Sequence, residues 1–113
     1  MTRTFHLTPA EIWEETDPGR PYAAPSLASE GFIHCTDGAD AMVVTANRFY
    51  ATDPRDFVVL TIDLERVGSP WRYDEPGSPY PHVYGPIDRQ AIVGAVGIPR
   101  GSDGRFLPFP ATD

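Results

Sequence analysis

Thirteen prolines and ten glycines are distributed along the 113 residues, so few stretches run far without an interruption. Proline removes a backbone donor and fixes φ, while glycine weakens helices and strands from within. The chain is therefore restricted to short elements joined by many turns, and no apolar run approaches the length of a membrane span. Apolar residues at 41% and aromatics at 12% still supply a core. A domain of this size buries roughly 65% of its unfolded surface, so neither a metal nor a disulfide is needed to hold it. One domain over residues 1–113 is expected. The single cysteine, Cys35, has no internal partner, and the N-terminus lacks the apolar core of a signal peptide. A cytoplasmic protein without membrane contact follows as the expectation.

Between the interruptions the patterning is clear. Thr4–Thr8 alternates polar and apolar, as a half-buried strand does. Thr8-Pro9-Ala10-Glu11 has the form of a capping box with proline at the first helical position, predicting a short helix through Trp13 to about Glu15. Residues Arg20 to Glu30 read as an ordered loop, followed by a strand over Gly31 to Cys35. Thr36 or Asp37 is placed to cap a helix whose apolar stripe comprises Ala39, Met42, Val43, Ala46, Phe49 and Tyr50. Phe57–Leu64 is β-branched and nearly continuous, as in a strand buried on both faces. Shorter strands are expected at Trp71–Asp74, Pro81–Tyr84 and Ala91–Ile98, with a turn and edge strand in the tail from Gly101 to Pro110. The fold class is α+β, with a mostly antiparallel sheet and two helices.

Charge narrows the function. Nine cations face sixteen anions, and every cation is arginine. Without a dense basic face, broad binding along a nucleic-acid backbone is excluded. Absence of lysine removes Schiff-base chemistry and the Walker-type phosphate lysine. Arginine can still clamp one phosphate or carboxylate, so a compact ligand is the expected partner.

The three histidines each sit in a predicted strand, where side chains two apart share a face. Thr4, His6 and Thr8 point together, as do Phe32, His34 and Thr36, and His82 with Tyr84. Cys35 then points away from His34, which excludes a thiolate–imidazole pair and makes the thiol a buried apolar group. Imidazoles converging on a cleft suit acid–base work or phosphate binding near neutral pH. Such convergence would also suit zinc, whose sites more often show close histidine pairs than gaps of 28 and 48 residues; these gaps decide nothing by themselves, and no metal is expected. The loop containing Ser26 and Ser29 allows close approach of a ligand, and Arg48 lies off the helix stripe as a candidate for anion binding. The run Tyr80-Pro81-His82-Val83-Tyr84-Gly85-Pro86 is interrupted by prolines, which predicts an edge or a sharp bend.

Gly31-Phe32-Ile33-His34-Cys35-Thr36, Asn47-Arg48-Phe49-Tyr50 and Tyr80–Pro86 together resemble the hallmarks of a bacterial family, domain of unknown function 952, over His6 to about Leu107. That family in turn looks like a compact relative of the ADP-ribosyltransferase-like superfamily, nearest to the catalytic half of RNA 2′-phosphotransferases. The resemblance implies a split antiparallel sheet and a cleft for NAD. It implies ribose binding for His6, and ribose or phosphate binding for His34, with Thr8, Ser26, Thr36 and Arg48 as further ligand contacts. His34, His82 and Tyr84 would carry any catalysis. Leu7 stands where the relatives have glycine, Phe32 replaces a histidine, and the RNA-binding half is absent, so transfer from RNA is not expected.

Two other classes remain open. His6-Leu7-Thr8 and His34-Cys35-Thr36 repeat the pattern H-x-T, similar to two-histidine phosphoesterases that act without metal. A non-catalytic module binding a ligand or a protein, as a monomer or weak homodimer, fits the acidic composition equally well.

Overall fold

The computed structural model of the chain describes residues 2–111. Strand β1 (Arg3–Pro9) is followed by two short helices, α1 (Ala10–Glu15) and α2 (Pro25–Glu30). Strand β2 (Ile33–His34), helix α3 (Ala39–Tyr50) and strand β3 (Phe57–Asp63) follow. The chain continues through β4 (Trp71–Tyr73), β5 (Pro81–Val83) and β6 (Ile92–Gly97), with single 3-10 turns at Leu64–Arg66 and Arg89–Ala91.

Every strand pairing is antiparallel, and the strands divide into two three-stranded sheets ordered β1-β3-β6 and β2-β5-β4. A bridge between Phe5 and Thr36 joins them. β3 is central, and its seven residues are all buried or nearly so, as a continuous β-branched run requires. Its alternation serves two cores. Phe57 and Val59 pack with Phe5, Met42, Ala46 and Phe106 beneath α3 and the tail. Leu60 and Ile62 face the opposite way and pack with Tyr22, Ile33, Val83 and Ile87 beneath the second sheet.

The α+β class and antiparallel pairing agree with the sequence expectation, but there are three helices rather than two. The segment read as a loop up to Glu30 contains α2, which has proline at its N-terminus and Gly31 closing it in the left-handed region, φ 88°. Helix signals were present there and were masked by the small residues between them. The capping box does not form, because β1 runs on through Pro9 and draws Thr8 into the ladder opposite Val58. Nor does Thr36 or Asp37 cap α3, whose N-cap is Gly38. Thr36 is held in the bridge to Phe5, while Asp37 accepts a hydrogen bond from the Tyr73 hydroxyl at 2.5 Å. β5 is the middle strand of its sheet rather than an edge. Pro81 is tolerated there as the first residue of the strand, where a ladder donor is dispensable. A side chain on Gly85 would come within 2.4 Å of the Ser69 hydroxyl, so the glycine that follows this strand is required by close approach.

The tail forms an isolated bridge, Arg100 to Phe106, rather than an edge strand. Asn47 secures it: its amide donates to the Phe106 carbonyl at 3.0 Å and its oxygen accepts from the Phe106 N–H at 2.7 Å. Among the described residues, no helix is long and apolar enough to cross a membrane.

Candidate functional site

One cleft of about 650 Å³ lies along the free edge of β1, between α2 and β2 on one side and α3 on the other. This is within the range of small-molecule sites. His6, His34 and His82 all line it, as do Thr8, Ser26, Thr36 and Arg48. Three strands far apart in sequence therefore bring the predicted imidazoles to one place.

The three differ in state. His6 is buried, with Nδ1 2.6 Å from the His34 carbonyl oxygen and Nε2 2.9 Å from the Tyr22 hydroxyl. A carbonyl only accepts, so Nδ1 carries the proton and Nε2 receives the Tyr22 O–H. Burial lowers the pKa of His6 to about 4, so it is neutral at physiological pH. Burial likewise pushes the Tyr22 hydroxyl up to about 12. His6 thus spans β1, β2 and the Tyr22 loop as an internal strut. The ribose contact implied for it is left without a free ring nitrogen. For the same reason His6 cannot serve as one of two catalytic imidazoles, which removes support from the phosphoesterase pairing of the H-x-T motifs.

His34 is about half exposed, and its Nε2 lies 3.0 Å from Glu30 at the end of α2. His82 is more enclosed, at 20% side-chain exposure, and its Nδ1 lies 2.6 Å from Asp74 Oδ2. Asp74 also accepts from the Tyr84 hydroxyl and, at 2.6 Å, from Arg72 Nε. Hydrogen bonds from Tyr84, Arg72 and His82 hold this carboxyl well below the usual carboxylate range. An ionised carboxylate requires the proton of neutral His82 on Nδ1, which leaves Nε2 as the acceptor nitrogen, without a protein partner among the described residues. Phe32 stacks on the His82 ring at 4.1 Å and 19°, fixing its plane, and the His34 ring is 5.5 Å away.

Tyr84 does not line the cleft; it stands behind His82 and acts on it through Asp74, with the Arg72 guanidinium 4.2 Å from its ring centre. Ser26 lines the cleft but donates its hydroxyl to the Phe32 carbonyl at 2.9 Å, bracing the strand below. The oxygens of Thr8 and Thr45 are buried in the cleft wall without a hydrogen-bond partner. Phe49 and Tyr50, expected in the helix stripe, are instead exposed at 63% and 39% and form part of the rim. Cys35 is buried as expected, and burial drives its thiol far above the ordinary range. No group of histidine, cysteine or carboxylate side chains suited to a metal occurs among the described residues.

The backbone of β1 adds a further feature. The Phe5 N–H and carbonyl pair with Thr36 on the free edge, at 2.9 and 2.7 Å. In a regular antiparallel strand the next residue facing that side is Leu7, so its N–H and carbonyl open into the cleft. Asp74, Glu30 and the Leu7 backbone were not legible in the sequence. Asp74 lies in a turn eight residues from His82, and only the β4–β5 pairing of Arg72 with His82 closes that distance.

The family described as "Protein of unknown function (DUF952)" matches residues 7–95. Among solved structures, the crystal structure of protein CC0527 from Caulobacter crescentus is 21% identical and superposes with a TM-score of 0.71, covering 94% of each chain. The solution structure of the same protein gives a TM-score of 0.67 over 92% of this chain and 90% of that one, at 21% identity. At that identity the likeness is one of fold. No curated protein matches the chain. Neither the family description nor these structures carries an ADP-ribosyltransferase assignment, so that part of the resemblance rests on residues alone.

Proposed function

The chain belongs to the DUF952 family, and we propose that its cleft binds a nucleotide of the NAD or ADP-ribose class, with His82 acting as the base at the ribosyl bond. The observation that carries this reading is the Asp74–His82 pair, which leaves Nε2 without a protein partner among the described residues on a ring that lines the cleft. A carboxylate that orients an imidazole and stabilises its charged form is the arrangement general-base catalysis needs. In the reaction, the glycosidic C–N bond breaks and nicotinamide departs. Water or an acceptor hydroxyl forms the new C–O bond and gives its proton to Nε2.

The cleft also fits such a ligand apart from catalysis. The Leu7 N–H and carbonyl offer one donor and one acceptor, which a planar carboxamide complements. The Thr45 hydroxyl, without a partner in the cleft wall, suits a sugar or a phosphate better than an apolar ligand. His34, paired with Glu30, stands beside His82 to contact the ribose.

Isothermal titration with NAD and with ADP-ribose, together with an assay for nicotinamide release, tests the reading. Saturable binding is expected, with release lost in His82→Ala and binding retained. Absence of binding to either nucleotide at millimolar concentration rejects the nucleotide reading. Binding without release reduces the protein to a nucleotide-binding module.

A further inference from the structure

The cleft has two chemically different ends. β1 forms its floor from His6 to Pro9, a length of roughly 10 Å at the rise of an extended strand. The imidazoles of His34 and His82 gather near the His6 end, because the His6 ring is bonded to the His34 carbonyl and His34 is paired with His82 across β2 and β5. Pro9 lies opposite Phe57, and Phe57 is in ring contact with Tyr50 at 5.2 Å, so the C-terminal turn of α3 stands over the other end.

Two arginines line the cleft. Arg55 is compensated: it makes a bidentate pair with Asp53, its shortest contact 2.7 Å, and reaches Glu11 at 3.4 Å. Arg48 makes no ion pair among the described residues, and its guanidinium rests 5.3 Å from the Phe49 ring centre. Three residues earlier on the same helix, and so on the same face, is Thr45, whose buried oxygen has no hydrogen-bond partner. A helical threonine usually satisfies its hydroxyl on the preceding turn, and this one does not. An uncompensated cation and, in the wall beside it, a buried hydroxyl without a partner thus stand at one end of the cleft of a molecule with net charge −7.

We propose that Arg48 and Thr45 form the anion subsite of the cleft, receiving a phosphate of the ligand away from the imidazoles. The assignment rests on the nucleotide reading above and gives it a direction: the diphosphate lies toward the C-terminal turn of α3 and the ribosyl bond toward His82. The planar fork of arginine matches two phosphate oxygens, and rotation of the Thr45 side chain about χ1 turns its hydroxyl outward to donate to a third. Elsewhere the acidic surface repels the same anion, so the subsite selects for ligands that carry it.

Inorganic pyrophosphate is the probe, followed by amide NMR of the labelled protein. Saturable shifts are expected at Thr45 to Tyr50, weakened by about tenfold in Arg48→Ala and by a smaller factor in Thr45→Val, with His82→Ala binding as the parent does. Shifts centred on His34 and His82, or none at millimolar pyrophosphate, overturn the assignment. So does an Arg48→Ala variant that loses helix stability but binds equally well, because Arg48 would then serve only the negative end of the helix dipole. Pyrophosphate binding at α3 without any competition from NAD or ADP-ribose upholds the subsite and rejects the nucleotide, so the two readings fail separately.

Discussion

His6 illustrates how one side chain can tie function to stability. Its ring is neutral and satisfied on both nitrogens, and protonating it would bring Nε2–H against the Tyr22 hydroxyl in a buried site. The folded-state pKa of about 4 lies below the ordinary imidazole value of 6.5, so between these values the unfolded chain binds more protons. Stability contributed by neutral His6 is therefore fully present above about pH 6.5 and is lost as the pH falls toward 4, amounting to roughly 3 kcal/mol. Urea unfolding at successive pH values should show this slope in the parent. A His6→Gln variant should be less stable at neutral pH and lack the slope across that window.

Asp74 is the second residue whose effect passes through another. With its carboxylate present, neutral His82 is held with the proton on Nδ1. In Asp74→Asn the Tyr84, Arg72 and His82 contacts lose their charged acceptor, and the preference for one tautomer weakens. Nitrogen-15 spectra of the imidazoles should show His82 dominated by the Nδ1–H form in the parent and mixed in the variant. An unchanged spectrum would remove Asp74 as a positioning residue without reference to any assay. At Cys35, burial should make alkylation in the native state slow and limited by opening of the fold.

At the scale of elements, α2 matters more than its six residues suggest. It carries both Ser26, which braces the Phe32 carbonyl, and Glu30, which meets His34. Gly31 closes it at φ 88°, where a side chain meets no steric obstacle but the backbone is strained. Gly31→Ala should cost about 1 kcal/mol. The same change should raise amide exchange through α2 and loosen the Glu30–His34 pair, which the ring chemical shifts of His34 would report. Helix α3 carries a similar double role: Met42 and Ala46 are buried in the core, while Thr45, Arg48 and Phe49 line the cleft. Periodicity identifies the helix, but it cannot separate an apolar residue covered by the tail from one left at a rim. Phe49 and Tyr50 were assigned to the stripe for that reason.

For the molecule as a whole, the tail is a structural member. Phe106 and Phe109 are buried against Phe5 and Phe57, and the paired amide bonds of Asn47 fix their position. Asn47→Ala should release this segment at a cost of about 2 kcal/mol, with exchange rising first in the tail and then along α3. Because α3 also walls the cleft, ligand affinity should fall in the same variant. An unchanged melting temperature would show that Phe106 holds the tail unaided.

Local chemistry determined much of this protein. Proline and glycine placement restricted the elements to short ones, β-branched continuity marked β3 as a strand covered on both faces, and period-two alternation turned Cys35 inward. The motifs around His34, Asn47 and His82 carried the family, which the match over residues 7–95 bears out. Such properties depend on neighbours along the chain, so a sequence contains them. What tertiary structure alone decided is the state of each imidazole. Identical side chains in similar strands became a buried neutral strut, an exposed partner of Glu30 and a half-enclosed ring bonded to Asp74. Protonation and accessibility depend on which groups arrive from other strands, and pairing of β1, β2, β4 and β5 brings those groups together only on folding.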